Sequence, residues 1–245
     1  MLTSTMPLGS GSFTVGGVML VAPNTVDVNT KRGCPLCGHK MKQKQLRDHV
    51  GRHILFRSRG MNERLPREVG ILTTQRGCLC SVVCQIGVDP CGFCGASGCT
   101  TRLIVQGKSR QVKSNCHFYS PFKYGSANKS TRSSPCTNIP IYCPHCKKTI
   151  WKYNAVDHII TNHPRLNTVD FDKSFMVNIQ IQEQEERCMG VLPELTDAYR
   201  NKYSYLFLRE EELAVVEREA EQEHEDAKKR SRRTAGDSKN KKRRC

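Results

Sequence analysis

Fourteen cysteines and eight histidines stand among 245 residues, and their spacing says what chemistry they can do. Cys34-Pro-Leu-Cys37 is followed after eleven residues by His49, with three residues between it and His53. Cys143-Pro-His-Cys146 is followed after eleven residues by His158, with four residues between it and His163. Two thiolates on a turn and two imidazoles on a helix can close a tetrahedron around zinc. Pro35 fixes the backbone of the first turn. His49 and His53, four apart, share one helical face.

A third set differs in kind. Asp89-Pro-Cys91-Gly-Phe-Cys94-Gly95 reads as a thiolate knuckle whose glycines permit positive backbone angles. Cys99 follows. Arg102–Val105 and Gln111–Lys113, joined by a Gln-Gly-Lys-Ser turn, read as a hairpin that returns Cys116 towards the knuckle. The ligand set is therefore Cys91, Cys94, Cys99 and Cys116, with His117 and Cys136 as rivals for one place. Cys78, Cys80 and Cys84 have spacings that fit no site and are read as non-ligands, and Cys188 as a free thiol.

Four-ligand sets are closed, whereas a hydrolytic zinc site keeps one position open. The sequence shows no paired carboxylates, nucleophile triad or phosphate loop beside these ligands. Cys116-His117 and Cys143/Cys146 are only fragments of the eight interleaved ligands of a RING-type ligase. The expectation is a protein that is not an enzyme.

Short elements must hold these ligands. Lys42–Leu55 favours helix, with Met41 and Leu46 beneath the metal. In the second repeat Ile150 takes the apolar slot, Ala155 stands where the first unit has Leu46, and Trp151 is expected to fill that space. Pro164 stops the helix. The predicted fold is a set of small α+β metal-stabilised units, C2H2-like zinc fingers plus a cysteine-rich zinc knuckle, with a C-terminal α-helix and disordered termini. The expected divisions are a disordered 1–30, a finger over 31–56, a connector over 57–87, the cysteine-rich unit over 88–142, a finger over 143–164, a linker over 165–192, an acidic helix over 193–229 and a basic disordered tail over 230–245. Leu206, Leu213 and Ala220 are seven apart, but little more than two heptads favours packing of that helix on its own body over a coiled coil.

The net charge of +16 is unevenly spread. Residues 1–169 hold 23 Lys+Arg against 6 Asp+Glu, residues 170–226 hold 6 against 16, and residues 227–245 hold 10 against 1. A basic body and tail attract polyanions such as DNA or RNA. The connector arginines Arg52, Arg57, Arg59, Arg64 and Arg67 are candidate phosphate contacts or solvated charges. Lys228, Lys229, Arg230, Arg232 and Arg233, then Lys241, Lys242, Arg243 and Arg244, form two basic clusters like a bipartite nuclear import signal, with an import receptor as partner. No apolar run approaches eighteen residues, so no membrane span is expected. The start lacks the pattern of a signal peptide. Paired cysteines in a reducing compartment suit metal better than a disulfide network.

The motifs Cys34–Cys37, His49-Val-Gly-Arg-His-Ile-Leu55, Asp89–Gly95, Ser114-Asn-Cys116, Pro135-Cys-Thr-Asn-Ile-Pro140, Cys143–Cys146, Trp151-Lys-Tyr-Asn154 and His158-Ile-Ile-Thr-Asn-His-Pro164, in this order, resemble a group of uncharacterised zinc-finger proteins of mushroom-forming fungi. The resemblance implies zinc binding and, by analogy with fingers in general, nucleic-acid contact. It also makes residues 71–87 look like an insertion, such as a retained short intron, because their removal joins Gly70 to Val88 in the family's pattern. Placed in the register of DNA-reading fingers, Lys42, Gln45 and Asp48 of the first unit and Asn154 of the last face bases. The long separation of the two fingers argues against tandem groove reading. Two functions follow: a nuclear, nucleic-acid-binding regulator, or a zinc-stapled protein-interaction module whose acidic helix docks a protein partner.

Overall fold

The computed structural model describes residues 30–61, 86–107, 109–166 and 168–208, with scattered positions to 222. Strands β1 (Lys31–Gly33) and β2 (Lys40–Lys42) pair antiparallel and lead through a 3-10 turn, Gln43–Gln45, into α1 (Leu46–Ser58). Strands β3 (Thr101–Gln106) and β4 (Ser109–Ser114) form the longest hairpin, with Leu103 opposite Val112. A short helix α2 (Tyr124–Ala127) follows. Strands β5 (Pro140–Tyr142) and β6 (Thr149–Trp151), a 3-10 turn at Lys152–Asn154 and α3 (Ala155–Asn162) repeat the order of the first unit. Helices α4 (Lys173–Ile179), α5 (Glu183–Met189) and α6 (Pro193–Lys202) complete the described chain.

The small units share their apolar interiors. The largest core joins Ile141, Ile150, Ala155 and Ile159 of the third unit to Leu103 and Val112 of the hairpin and to Phe171, Phe175, Met176 and Ile179. A second joins Leu46, Val50, Ile54 and Leu55 of α1 to Tyr153, Ile181, Met189 and Val191. Helix α1 is buried around most of its circumference, which is why its sequence lacks a clean polar face. At Gly51 a Cβ would lie 2.9 Å from the Cys136 sulfur and 3.2 Å from Asn138 Cβ, so glycine lets the Cys136–Asn138 segment approach this closely.

Two divisions expected from the sequence are corrected. Residues 165–192 are not a linker: α4 and α5 put their apolar side chains into the cores, spaced at helical intervals that a mostly polar composition conceals. Asp172 caps α4 by accepting from the Phe175 N–H at 2.7 Å. Nor does one helix run from 193 to 229. Helix α6 ends at Lys202, and Ser204–Leu206 turns as a 3-10 segment because fully buried Leu206 is drawn into the core. Leu206 thus stands outside α6; Leu213 and Ala220 lie outside the described residues, as do residues 1–29 and the basic tail.

The expected insertion ends inside the packed body. Ile86 is buried, and a Cβ on Gly87 would meet Ser97 at 2.2 Å. Val69-Gly70 repeats the apolar-glycine pattern of Ile86-Gly87, so excision of seventeen residues leaves an equivalent pair before Val88. Cys78, Cys80 and Cys84 lie outside the described residues.

Candidate metal centres

Three knuckles of one form present the cysteine pairs. In each, the residue after the second cysteine returns its N–H to the first cysteine's carbonyl: Gly38 to Cys34 at 2.8 Å, Gly95 to Cys91 at 2.7 Å and Lys147 to Cys143 at 3.0 Å. Each first cysteine closes the turn from the other side, its N–H donating to the carbonyl of His39, Ala96 or Lys148 at 2.9 Å. The returning residue is left-handed in all three, with φ of 74° at Gly38, 76° at Gly95 and 58° at Lys147.

Cys34, Cys37, His49 and His53 converge, as do Cys91, Cys94, Cys99 and Cys116, and Cys143, Cys146, His158 and His163; within each set the donor atoms lie within 4.8 Å of one another. Cys37 Sγ is 3.1 Å from His49 Nε2, which is 3.0 Å from His53 Nε2. Cys143 Sγ is 3.3 Å from His163 Nε2, and Cys146 Sγ is 3.4 Å from His158 Nε2. Cys94 and Cys99 sulfurs are 3.7 Å apart. A tetrahedral zinc has S···S edges of about 3.8 Å, S···N of about 3.5 Å and N···N of about 3.3 Å. The donor sets and their spacing fit that ion.

The sulfur-only site is the most crowded. Hydrogen bonds from Cys116 and Cys91 lower the Cys94 thiol to about 2; against the lowering effect of Cys116, the Cys94 thiol and burial push Cys91 up to about 12, and Cys91 and Cys94 raise Cys116. Adjacent thiolates repel, so these sulfurs oppose one another's ionisation. A divalent cation removes that repulsion. Burial raises Cys34 to about 12 and also raises Cys143. In the third site burial keeps His158 and His163 below the usual histidine range, which favours the neutral, ligating form. His158 turns Nε2 to Cys146 and Nδ1 to the side chain of Asn162 at 3.2 Å and the carboxylate of Asp89 at 3.8 Å. Such partners orient a ligating imidazole.

The rivals for the middle site go elsewhere. His117 is exposed and meets Arg32 at 2.8 Å. Cys136 lies against α1, and burial lifts its thiol to about 12. Cys188 is exposed.

The sites interlock. Leu36, inside the first knuckle, lies against Gly95 of the second, where a Cβ would be 2.7 Å from Leu36 Cδ1. Trp151 does not fill its own unit as expected. It reaches Gly92 inside the middle knuckle, where a Cβ would be 2.3 Å from its ring, and meets Phe93 edge-on at 5.1 Å. Gln43, missed in the sequence, is fully buried and donates from Nε2 to the Tyr119 carbonyl at 2.8 Å. Arg47 donates to the Asn138 carbonyl at 2.9 Å and covers Phe122. Buried Glu185 accepts from the Thr137 N–H at 2.9 Å, the Thr137 hydroxyl at 2.6 Å and the Tyr153 hydroxyl. Arg59 pairs with buried Glu186. These polar locks join segments far apart in sequence, so spacing gave no signal of them. Two of them fall on the Pro135–Pro140 segment, at Thr137 and Asn138.

The base-facing expectations divide. Lys42 and Gln45 are exposed. Asp48 is half-buried, pairs with Arg47, and has its carboxyl raised by burial. Asn154 is buried and donates to the Val88 carbonyl at 3.4 Å. Asn154 is therefore corrected from base reader to packing residue, because the 3-10 turn that carries it is covered by the rest of the body. Comparison with family models, curated proteins and solved structures gives no match.

Proposed function

We propose that this chain is a non-enzymatic nuclear regulator that binds nucleic acid through a body stapled by zinc, its first and third units being C2H2-type fingers. The observation that carries this reading is a charge pattern on the metal-bearing region. From Pro90 to Val156 there are ten Lys+Arg and no Asp or Glu. This stretch supplies the whole sulfur site and both cysteines of the third. Eight of the ten are exposed, and Lys152 is buried; a fold held by dications with such a basic surface suits a polyanion. Zinc in each closed set supplies structural cross-linking, with no position left for a substrate. The resemblance to fungal zinc-finger proteins agrees with this reading, and the two basic clusters of the tail supply the nuclear address.

Metal analysis should find three zincs per chain. Titration against DNA and RNA pools should show affinity that falls steeply with salt and vanishes with chelator. A fully metallated protein with no affinity for either pool would sink the reading and leave the protein-interaction module in its place. Exclusion of the full chain from nuclei would overturn the address.

A further inference from the structure

The finger helices are poorly placed to read a nucleic acid, but the β3–β4 hairpin is free on one face. Pairing puts Leu103 opposite Val112, and both are buried. Strand alternation then places Arg102 opposite Lys113, Ile104 opposite Gln111 and Gln106 opposite Ser109 on the other face. Arg102, Gln106, Gln111 and Lys113 are all exposed. None of these four side chains has a hydrogen bond or ion pair among the described residues. The contrast is with Arg110 on the inner face, which lies over the Tyr124 ring at 5.4 Å.

We infer that this ribbon is the nucleic-acid-reading element, and that its partner is duplex DNA entered through the major groove. The inference rests on the nucleic-acid-binding reading above. A two-stranded ribbon fits the B-form major groove, about 12 Å wide, whereas the A-form RNA groove is too deep and narrow for side chains to read. Six-residue strands span about 20 Å, enough to cross several base pairs. The face carries the chemistry for both tasks: Arg102 and Lys113 for phosphate or guanine, and Gln106 and Gln111 for the paired donor and acceptor of adenine. The hairpin is also held rigidly from beneath. The Tyr142 hydroxyl donates to the Leu103 carbonyl, and the Tyr119 hydroxyl donates to the Val112 carbonyl at 2.7 Å. At its base, Lys148 lines a cleft of about 350 Å³ together with Thr100, Thr101 and Asp89, adding a cation beside the ribbon.

The test uses the full, zinc-loaded chain, a randomised 20-base-pair DNA pool, duplex RNA and single-stranded DNA. Wild type should prefer duplex DNA. Arg102→Ala/Lys113→Ala should weaken binding at least tenfold near 0.1 M salt and lower the salt slope by about 1.8, from two lost phosphate contacts. Gln106→Ala/Gln111→Ala should leave the slope unchanged and flatten sequence preference. Zinc content and the thermal transition of each variant establish that it is folded. Preference for RNA or single strands overturns the inference while keeping the broader reading. So does a Lys42→Ala/Gln45→Ala variant that loses binding while both ribbon variants keep it. Absence of wild-type binding to every nucleic acid defeats the broader reading itself.

Discussion

The first and third candidate metal units have the same ligand types and the same order of hairpin, 3-10 turn and helix, yet they pack with different partners in the molecule. Leu46 of the first unit packs with Val50 and Ile54 on its own helix, while the third unit has Ala155 at the corresponding position. The third unit's interior is completed from outside, by the β3–β4 hairpin and by α4, with Met176 and Ile179 fully buried against it. The first unit also shares its core, with Tyr153, Ile181, Met189 and Val191, but it keeps a leucine of its own at this position. The third unit, with only Ala155 there, takes in the larger set of outside side chains. The ligand pattern thus fixes a local form and leaves global position to the residues around it.

Removing ligands should break the comparison most strongly. Structural zinc contributes about 10–16 kcal/mol to small metal-held units. Cys143→Ser should therefore abolish the cooperative thermal transition followed by circular dichroism. Cys37→Ser should lower zinc content by one ion per chain and retain a transition from the larger core. Equal collapse of both variants would show that the units are equivalent.

Trp151→Ala comes next, at about 3–5 kcal/mol for an aromatic truncated in a core. Trp151 is the sole tryptophan, so its fluorescence reports on the middle site from the third unit's strand. Chelator should shift the emission to longer wavelength as the indole leaves the Gly92 surface. An emission that stays unchanged after complete zinc removal would show that the contact does not depend on the metal.

Gly51→Ala tests the corresponding contact of the first unit. Alanine favours helix by about 1 kcal/mol over glycine, but overpacking costs about 1–3 kcal/mol. The 2.9 Å approach of the Cys136 sulfur makes the second term the larger. The variant should lose about 1 kcal/mol in denaturant titration, and adding Cys136→Ala should recover part of the loss. A Gly51→Ala variant more stable than wild type would mean that the Cys136 segment can retreat.

Much of the metal chemistry was legible because ligand spacing is local: a knuckle and one turn of helix suffice to bring four donors together. The middle site was harder. Its fourth donor could be Cys99, His117 or Cys136 until the Arg32 contact placed His117 elsewhere and packing against α1 did the same for Cys136. The sites' surroundings were not legible. Trp151 reads as its own unit's filler because periodicity cannot show that Gly92 is near. Residues 165–192 read as a linker because their core contacts join helices shorter than the window in which amphipathic repetition becomes clear. Glu185 and Glu186 read as charge on an acidic segment, although burial with hydrogen-bonded partners makes them locks.

The smallest expected effect has two signs. Gly38 and Gly95 accept the left-handed turn without steric cost, whereas Lys147 holds φ of 58° with a side chain that L-residues seldom place there. Lys147→Gly should therefore stabilise the third unit by about 1 kcal/mol, raising the melting temperature by roughly 2–4 °C for a body of this size. The exposed cation lies beside Lys148, which shares the cleft at the base of the ribbon. Its loss should lower the salt slope of DNA binding by as much as about 0.9. Opposite signs in the two assays would show that the third unit keeps a strained lysine for its charge. A gain in stability with no change in binding would remove Lys147 from the interface and leave the strain without a binding role.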